Sequence, residues 1–216
     1  MDRQTPSGKD ARGRASGNPP TPDSLHTRHH ESIFAAGSRT VATGRYPDAM
    51  ATTRRATTTD LPFMVHVLRH AAGGESEPLD VEECRTNPAI AHYIDGWTPD
   101  QIGMICLVDG SPIGAAWLRD LPASDPGYGF VAPGIPELTI AISPQQRSQG
   151  HGGYLLDSLL DECRRHGIRS VSLNVDTANE PAMAIYRKAG FVEVSSESNH
   201  LTMLHVDGNP ALSQPY

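Results

Sequence analysis

Residues 147–153, Arg-Ser-Gln-Gly-His-Gly-Gly, set an arginine and three glycines directly before an apolar run with helical spacing. Arg147, Gly150 and Gly152 stand as R-x-x-G-x-G. Glycines let the main chain approach a bulky anion and turn its N–H groups toward it, and a helix N-terminus adds about half a positive charge. A phosphate or pyrophosphate is the guest such a turn suits. A tight turn that binds nothing looks the same in sequence, so this stretch alone decides little. The other common phosphate loops do not fit: no G-K-[ST] is present, and no G-x-G-x-x-G follows the first strand.

A second constellation lies further on, in NEPAMAIYRKAGF. Asn179, Ala182, Tyr186, Gly190 and Phe191 stand as N-x-x-A-x-x-x-Y-x-x-x-G-F. Taken separately, Asn179 reads as a helix N-cap and Tyr186 as a core aromatic. His66 and His70 are four apart on a predicted helix, but Val67 stands where an H-E-x-x-H zinc site needs glutamate, so no metal is expected. His26, His29 and His30 would bind a metal only adventitiously.

These residues need elements to position them. Residues 1–49 are rich in Gly, Pro, Ser, Thr and Arg, with no sustained apolar period, and are expected to be a disordered extension. Ordered sequence is expected over 50–207, with a short tail over 208–216, and Met50 is a candidate true start. A short strand, a cap at Thr59 or Asp60 and a helix bearing Leu61, Met64, Val65 and Leu68 come first. One or two short helices over 80–97 follow, then two strands joined at Asp109-Gly110-Ser111, a strong hairpin signal. The long, turn-rich loop 121–135 carries Tyr128 and Phe130, expected to wall an acceptor pocket or simply to anchor the loop. A strand over 137–143 ends at Pro144, and a helix over about 150–166 presents Leu155, Leu156, Leu159, Leu160 and Cys163 before stopping at Gly167. A strand over 169–176, a second helix opened by Asn179 and Pro181, and a final hairpin complete a mixed sheet with helices on its faces. Trp97 and Trp117 read as core or loop anchors.

Composition excludes several roles. Of 18 basic and 25 acidic side chains, residues 1–50 hold seven and five, which leaves the remainder strongly acidic and unsuited to nucleic acid. No apolar run reaches the ~18 residues of a membrane span and no signal-peptide core opens the chain, so a cytoplasmic protein without a membrane partner is expected. Cys84, Cys106 and Cys163 are widely spaced, with no C-x-x-C, and read as reduced core thiols.

The two motifs in this order, separated by one strand, resemble the GNAT superfamily of acyl-CoA N-acyltransferases. The likeness runs from Glu137 to about Val194 in motif, and the element order from 51 to 206 agrees with it. The resemblance implies an α/β fold of GNAT type, a mixed central sheet flanked by helices on both faces, with a splayed strand pair forming the acyl-CoA cleft. It implies acetyl-CoA as donor, with main-chain groups of Ile140, Ala141 and Ile142 along its pantetheine arm. The loop of Arg147, Ser148, Gln149, Gly150, His151, Gly152 and Gly153 would hold the pyrophosphate, with Asn179 and Tyr186 on the later helix. His151 is expected to project outward, because such a loop works through its backbone.

Direct transfer to an amine is the chemistry this implies, with a small-molecule or protein amine as acceptor. The ammonium, with a pKa of about 10, must lose a proton first, so a base or water relay is required. Glu137, at the head of the central strand, is the expected base, unless it is only a solvated strand-end charge; Asp176 and a water relay are the alternatives. A free strand N–H near Ile140 to Ile142 would stabilise the oxyanion. Tyr186 would protonate the departing thiolate. A non-catalytic acyl-CoA sensor and an unrelated phosphate-binding enzyme stay open, as does a homodimer through the last strands.

Overall fold

The computed structural model describes residues 51–72 and 79–208. The expected N-terminal extension, Met50, the histidines at 26, 29 and 30 and most of the tail lie outside the described residues. Chain order is β1 (Ala51–Arg55), α1 (Leu61–Ala72), α2 (Val81–Thr86), α3 (Pro88–Ala91), β2 (Gly103–Val108), β3 (Ser111–Arg119) and β4 (Glu137–Ile142). Then come α4 (His151–Arg165), β5 (Ser170–Asp176), α5 (Glu180–Lys188), β6 (Val192–Glu197) and β7 (His200–Val206). The strands form one sheet in the order β1-β2-β3-β4-β5-β7-β6. Every neighbouring pair is antiparallel except β4 with β5.

Local chemistry explains the order of the elements. The β2–β3 hairpin turns at Asp109 and Gly110, both at positive φ (50° and 76°), the twist-matched two-residue turn that Asp-Gly favours. β3 then reads as a nearly continuous apolar run because both of its faces are covered. Ala115 and Trp117 pack with α1, α2 and α3 through Met64, Leu68, Cys84, Ile90 and Tyr93. Ala116 and Leu118 pack on the opposite face with Leu155, Leu156 and Leu159 of α4 and Met183 of α5. Two apolar layers therefore sandwich one sheet, and all three cysteines are free and buried within them. Both tryptophans are core residues, and the Trp117 indole N–H donates to the Tyr93 carbonyl at 2.7 Å.

The entry to α1 differs from the cap expected at Thr59 or Asp60. A single 3-10 turn over Thr58–Asp60 precedes the helix, with Thr57 as its cap. The Asp60 carboxylate accepts the Thr57 N–H (2.8 Å) and hydroxyl (2.9 Å) and both guanidinium N–H groups of Arg54 (2.8 and 2.7 Å). Four donors on one buried carboxylate were invisible in sequence because Arg54 reaches it from β1. The bidentate Arg54 contact, ahead of the opposing effect of burial, holds the Asp60 carboxyl down at about 2. A depressed carboxyl contributes stability that is present above its unfolded value and lost as pH falls through the folded one. Asp60→Ala is therefore expected to lower stability by about 2 kcal/mol at pH 7. In urea melts its deficit should shrink between pH 4 and pH 2.

Candidate active site

β4 and β5 share one ladder pair, Glu137 with Ser172, supported by a bond from the Ser172 N–H to the Pro136 carbonyl (3.0 Å). Beyond it the two strands part. The β3–β4 register fixes which main-chain groups face the gap. Ser143 N–H donates to Ile113 O at 2.8 Å, so by antiparallel alternation Ala141, Thr139 and Glu137 turn their N–H and C=O toward β3. Leu138, Ile140 and Ile142 turn theirs toward the gap. Ala141, expected among the cleft-lining main-chain groups, is thus corrected: its polar backbone is paired with Ala115 across the β3 ladder. On the other side, Thr177 N–H donates to Asn199 O (2.7 Å), which commits the odd residues of β5 to β7 and leaves Asn174 and Asp176 facing the gap.

At the wide end of the gap the glycine-rich turn begins α4. Ser148 (φ 60°) and Gly150 (φ 84°) are both left-handed, and Gly150 is the N-cap, with no side chain capping it. The first α-helical bond runs from Tyr154 N–H to Gly150 O (3.2 Å), so the N–H groups of Gly150, His151, Gly152 and Gly153 precede the ladder and need another acceptor. A methyl at Gly152 would lie 3.6 Å from Ile185 and 3.9 Å from Ile142, and at Gly153 it would meet nothing within 4 Å. The start of α4, the end of β4 and the middle of α5 therefore meet around an open space. Arg147 folds back, its Nε donating to Ile142 O at 3.1 Å, so its guanidinium rides on the gap-facing edge of β4. Ser148 and Gln149 are exposed on the rim.

His151 does not project outward. As the first residue of α4 it falls one and two turns before Leu155 and Leu159 and shares their buried face, where Nε2 has no partner among the described residues. Burial lowers its pKa, which favours the neutral imidazole. Asn179 is the N-cap of α5, its side-chain oxygen accepting the Ala182 N–H at 3.1 Å. Tyr186 is buried in the same layer, its ring 5.8 Å from that of Phe191, and burial pushes its phenol well above the usual value of 10.

Glu137 overturns the reading of a solvated strand-end charge. It is 2% exposed. One carboxylate oxygen accepts the Tyr93 hydroxyl (2.9 Å) and the Gly129 N–H (2.8 Å), while Oε2 is buried with no partner among the described residues. The Tyr93 hydroxyl oxygen in turn accepts the Tyr128 N–H (2.8 Å), so the 127–129 segment of the long loop is laced over the carboxylate. Glycine is required there: a methyl on Gly129 would come within 2.6 Å of the Leu173 carbonyl carbon, and one on Gly127 would collide with Glu137 Oε2. Loop residue Tyr128 spans to the next strands through its carbonyl, which accepts from Asn174 Nδ2 and Thr202 Oγ1, each at 3.4 Å. Burial dominates the two hydrogen bonds and raises the Glu137 carboxyl to about 7. Asp176, the alternative base, has both oxygens engaged, by Ala178 N–H (2.8 Å) and Asn199 Nδ2 (3.2 Å), and serves as a turn-holding side chain.

Sequence reading missed Tyr93 and Asn174. Glu137, Thr139, Ser172, Asn174 and Asp176 form a buried polar stripe on the α3 side of the splayed strands. The period-2 alternation of ELTIAI and SVSLNVD was the available signal, since a polar residue at every second position of a doubly covered strand is unusual.

The Acetyltransferase (GNAT) family model matches residues 73–191, and the chain belongs to that family. One relative is the [ribosomal protein bS18]-alanine N-acetyltransferase of Escherichia coli K12, 36% identical over 61 residues, covering 28% of this chain and 41% of that one. Another is a mycothiol acetyltransferase of Acidimicrobium ferrooxidans, 29% identical over 104 residues, covering 48% and 32%. The matches thus span about two fifths of these relatives' length or less. Among solved structures, the ribosomal-protein-S18-alanine N-acetyltransferase of Escherichia coli superposes with a TM-score of 0.53 at 20% identity, covering 77% of this chain and 100% of that one. Salmonella typhimurium YncA, solved with its cofactor acetyl-CoA, gives 0.53 at 18% identity, covering 74% and 95%. These structures share the fold: a mixed open sheet between helices.

The raised Glu137 carboxyl predicts a pH signature in stability. Because its folded value lies above the unfolded 4.5, its contribution is fully present below pH 4.5 and is lost as pH rises through about 7. The loss amounts to roughly 3 kcal/mol. Denaturant melts at pH 5 and pH 8 should show that decline in the wild type and not in Glu137→Gln.

Proposed function

We propose that this protein is an N-acetyltransferase that moves the acetyl group of acetyl-CoA directly to a primary amine, of a small molecule or of a protein. The observation that carries the reading is the parting of β4 from β5 after one bridge, with the N–H groups of Gly150, His151, Gly152 and Gly153, unpaired among the described residues, at the wide end. The relatives named above acetylate an alanine of a ribosomal protein in one case and take their name from mycothiol in the other, and both kinds of acceptor suit the reading.

The residues present fit the donor. Acetyl-CoA brings an activated thioester; the chain supplies everything else. Gly150, His151, Gly152 and Gly153 meet the pyrophosphate with their N–H groups, and Arg147 adds a cation beside it. Ser148 and Gln149 flank the same phosphates. Ile140 and Ile142 offer main-chain groups to the pantetheine arm, and an N–H from this edge faces the carbonyl oxygen where charge develops. Asn179 holds the start of α5 and so places Tyr186, whose elevated pKa keeps it protonated at neutral pH as a donor to the departing sulfur. Glu137 takes the ammonium proton, a task for which a carboxyl near 7 is well matched. Gly127 and Gly129 cover its oxygens, so the amine reaches it when the 127–129 segment lifts.

No described helix is long and apolar enough to cross a membrane, and no described histidine, cysteine or carboxylate cluster has the makings of a metal site. A cytoplasmic place of action belongs to the same reading. A homodimer would form through β6, the outer strand, exposed from Glu193 to Glu197.

Calorimetric titration of the full chain with acetyl-CoA tests the binding assignment. Micromolar affinity is expected, and its loss in Gly150→Glu, which sets bulk and negative charge on the N-cap. A folded wild type that binds no acetyl-CoA would overturn the reading. Once an acceptor is found, Glu137→Gln should reduce kcat about 100-fold and remove an ionisation near pH 7 from the profile, with KM for acetyl-CoA unchanged. An unaltered profile would assign the proton to a water relay. Tyr186→Phe with full activity would remove the phenol from the chemistry.

A further inference from the structure

Tyr93 lies in the turn that leaves α3 and is wholly buried. Two rings pack on its own: that of His92 meets it edge on, with centroids 4.5 Å apart, and that of Tyr128 stacks on it at 6.4 Å and 16°. The turn is fastened to β3 by Arg119, whose guanidinium donates to the carbonyls of His92 (2.9 Å) and Asp95 (2.5 Å) and to the Gln101 side chain (2.9 Å). Arg119 is also the ladder partner of Glu137. The residue that anchors the turn and the residue that the Tyr93 hydroxyl reaches thus stand side by side on adjacent strands, and the sheet sets the aim of that hydroxyl.

A phenol has one proton to give. The Tyr128 N–H donates to the Tyr93 oxygen, so that proton goes to Glu137 Oε1 (2.9 Å), which accepts the Gly129 N–H (2.8 Å) as well. A carboxylate oxygen has two lone-pair sites, and both of those on Oε1 are thereby taken. Oε2 has no partner among the described residues, and Gly127 rests against it, since a methyl there would collide with it. The two donors to Oε1 differ in what holds them. Gly129 belongs with Gly127 to the segment that lifts to admit the amine; Tyr93 belongs to the turn that Arg119 anchors. Lifting therefore uncovers Oε2 and takes Gly129 away, while the Tyr93 bond to Oε1 stays.

We propose that Tyr93 is a positioning residue for the proton transfer: its hydroxyl keeps Oε1 an acceptor, so that Oε2 is the atom of Glu137 that takes the proton of the incoming ammonium. This assignment rests on the reading of Glu137 as the base and names the atom at which it acts. An N–H bond breaks with its electron pair left on nitrogen, an O–H bond forms at Oε2, and the neutral acid gives the proton to water once the acetyl group has moved. Burial holds the carboxyl near 7, against the bonds from Gly129 and Tyr93, which favour the charged form. The neighbouring titratable groups are committed elsewhere: Arg119 as above, His92 to Asp125 (3.3 Å), and Asp176 to Ala178 and Asn199. The Tyr128 phenol is raised, by burial first and then by Glu137 itself, and stays neutral. Removing the Tyr93 hydroxyl should therefore raise the Glu137 carboxyl further.

The test uses the full chain labelled with δ-13C glutamate, the Glu137 signal being the one lost in Glu137→Gln. Its carboxyl should titrate near pH 7 in the wild type and about one unit higher in Tyr93→Phe. A merely structural disturbance admits water and moves the midpoint the other way, toward 4.5. Difference infrared spectra at pH 5, taken with and without Glu137→Gln, isolate the C=O stretch of the protonated acid. With the proton on Oε2 the carbonyl oxygen is Oε1, and its band should rise in frequency in Tyr93→Phe. With the proton on Oε1 the carbonyl oxygen is Oε2, which Tyr93 does not touch, and the band would stay. A band that stays, or a midpoint that stays or falls, would overturn the proposal while leaving acetyl-CoA binding intact. Should Tyr93→Phe not fold, 3-fluorotyrosine placed at position 93 keeps the ring and makes its hydroxyl a stronger donor. Midpoint and band should then both move down, and no movement would overturn the proposal. Absence of acetyl-CoA binding by calorimetry would overturn the acetyltransferase reading and this role with it, whatever the band does.

Discussion

Everything in this molecule is arranged around two parallel strands that cannot stay together. β4 and β5 are bridged once, at Glu137 and Ser172, and each is committed to an antiparallel partner on its outer side. That commitment fixes the alternation, so the groups turned toward the gap are those of every second residue, Leu138, Ile140 and Ile142 on one edge, Asn174 and Asp176 on the other. Some of these are met locally, Ile142 O by Arg147 Nε and Asp176 O by the Asn179 N–H; unpaired main-chain groups are otherwise rarely left without an acceptor or donor in a folded core. The fold tolerates them here because helices cap both layers elsewhere: α4 and α5 bury one face, α1 to α3 the other. The sheet is thus held rigid on its two flanks and open along one seam.

The narrow end of that seam is closed by polar rather than apolar contacts. Tyr93, Glu137, Gly129 and the Tyr128 backbone form one hydrogen-bonded knot that joins α3's exit, the head of β4 and the long loop. Its carboxylate is desolvated, with one oxygen accepting two hydrogen bonds and the other without a partner among the described residues. A half-satisfied buried acid is a poor choice for stability alone. It is a reasonable one where a proton has to be taken and released near neutral pH.

Much of the architecture was legible in the sequence, for identifiable reasons. The hairpin at Asp109-Gly110, the apolar face of α4 and the Asn179 cap each depend on a few neighbouring residues, and each appears where its local chemistry puts it. The glycine-rich turn was legible for the same reason. What escaped were interactions between distant segments. Arg54 reaching Asp60, Tyr93 reaching Glu137 across 44 positions, and the tight seat of Gly127 and Gly129 have no local signature. His151 was misplaced because a motif that works through its backbone says nothing about side chains, whereas its register with Leu155 and Leu159 does. Ala141 was misassigned because three consecutive residues cannot all face one edge of a strand.

The three buried cysteines bear on the fate of the acetyl group. Burial pushes the thiols of Cys106 to about 11 and Cys163 to about 12, and raises that of Cys84 as well. A sulfur attacks a thioester as its thiolate, and at neutral pH these three remain almost wholly in the unreactive protonated form. In the mixture of protein, donor and acceptor, the sulfur that carries the acetyl group is thus the donor's alone. Its cysteines are thereby kept from taking up the acetyl group, and the thioester's energy stays available to a nitrogen that arrives at the seam.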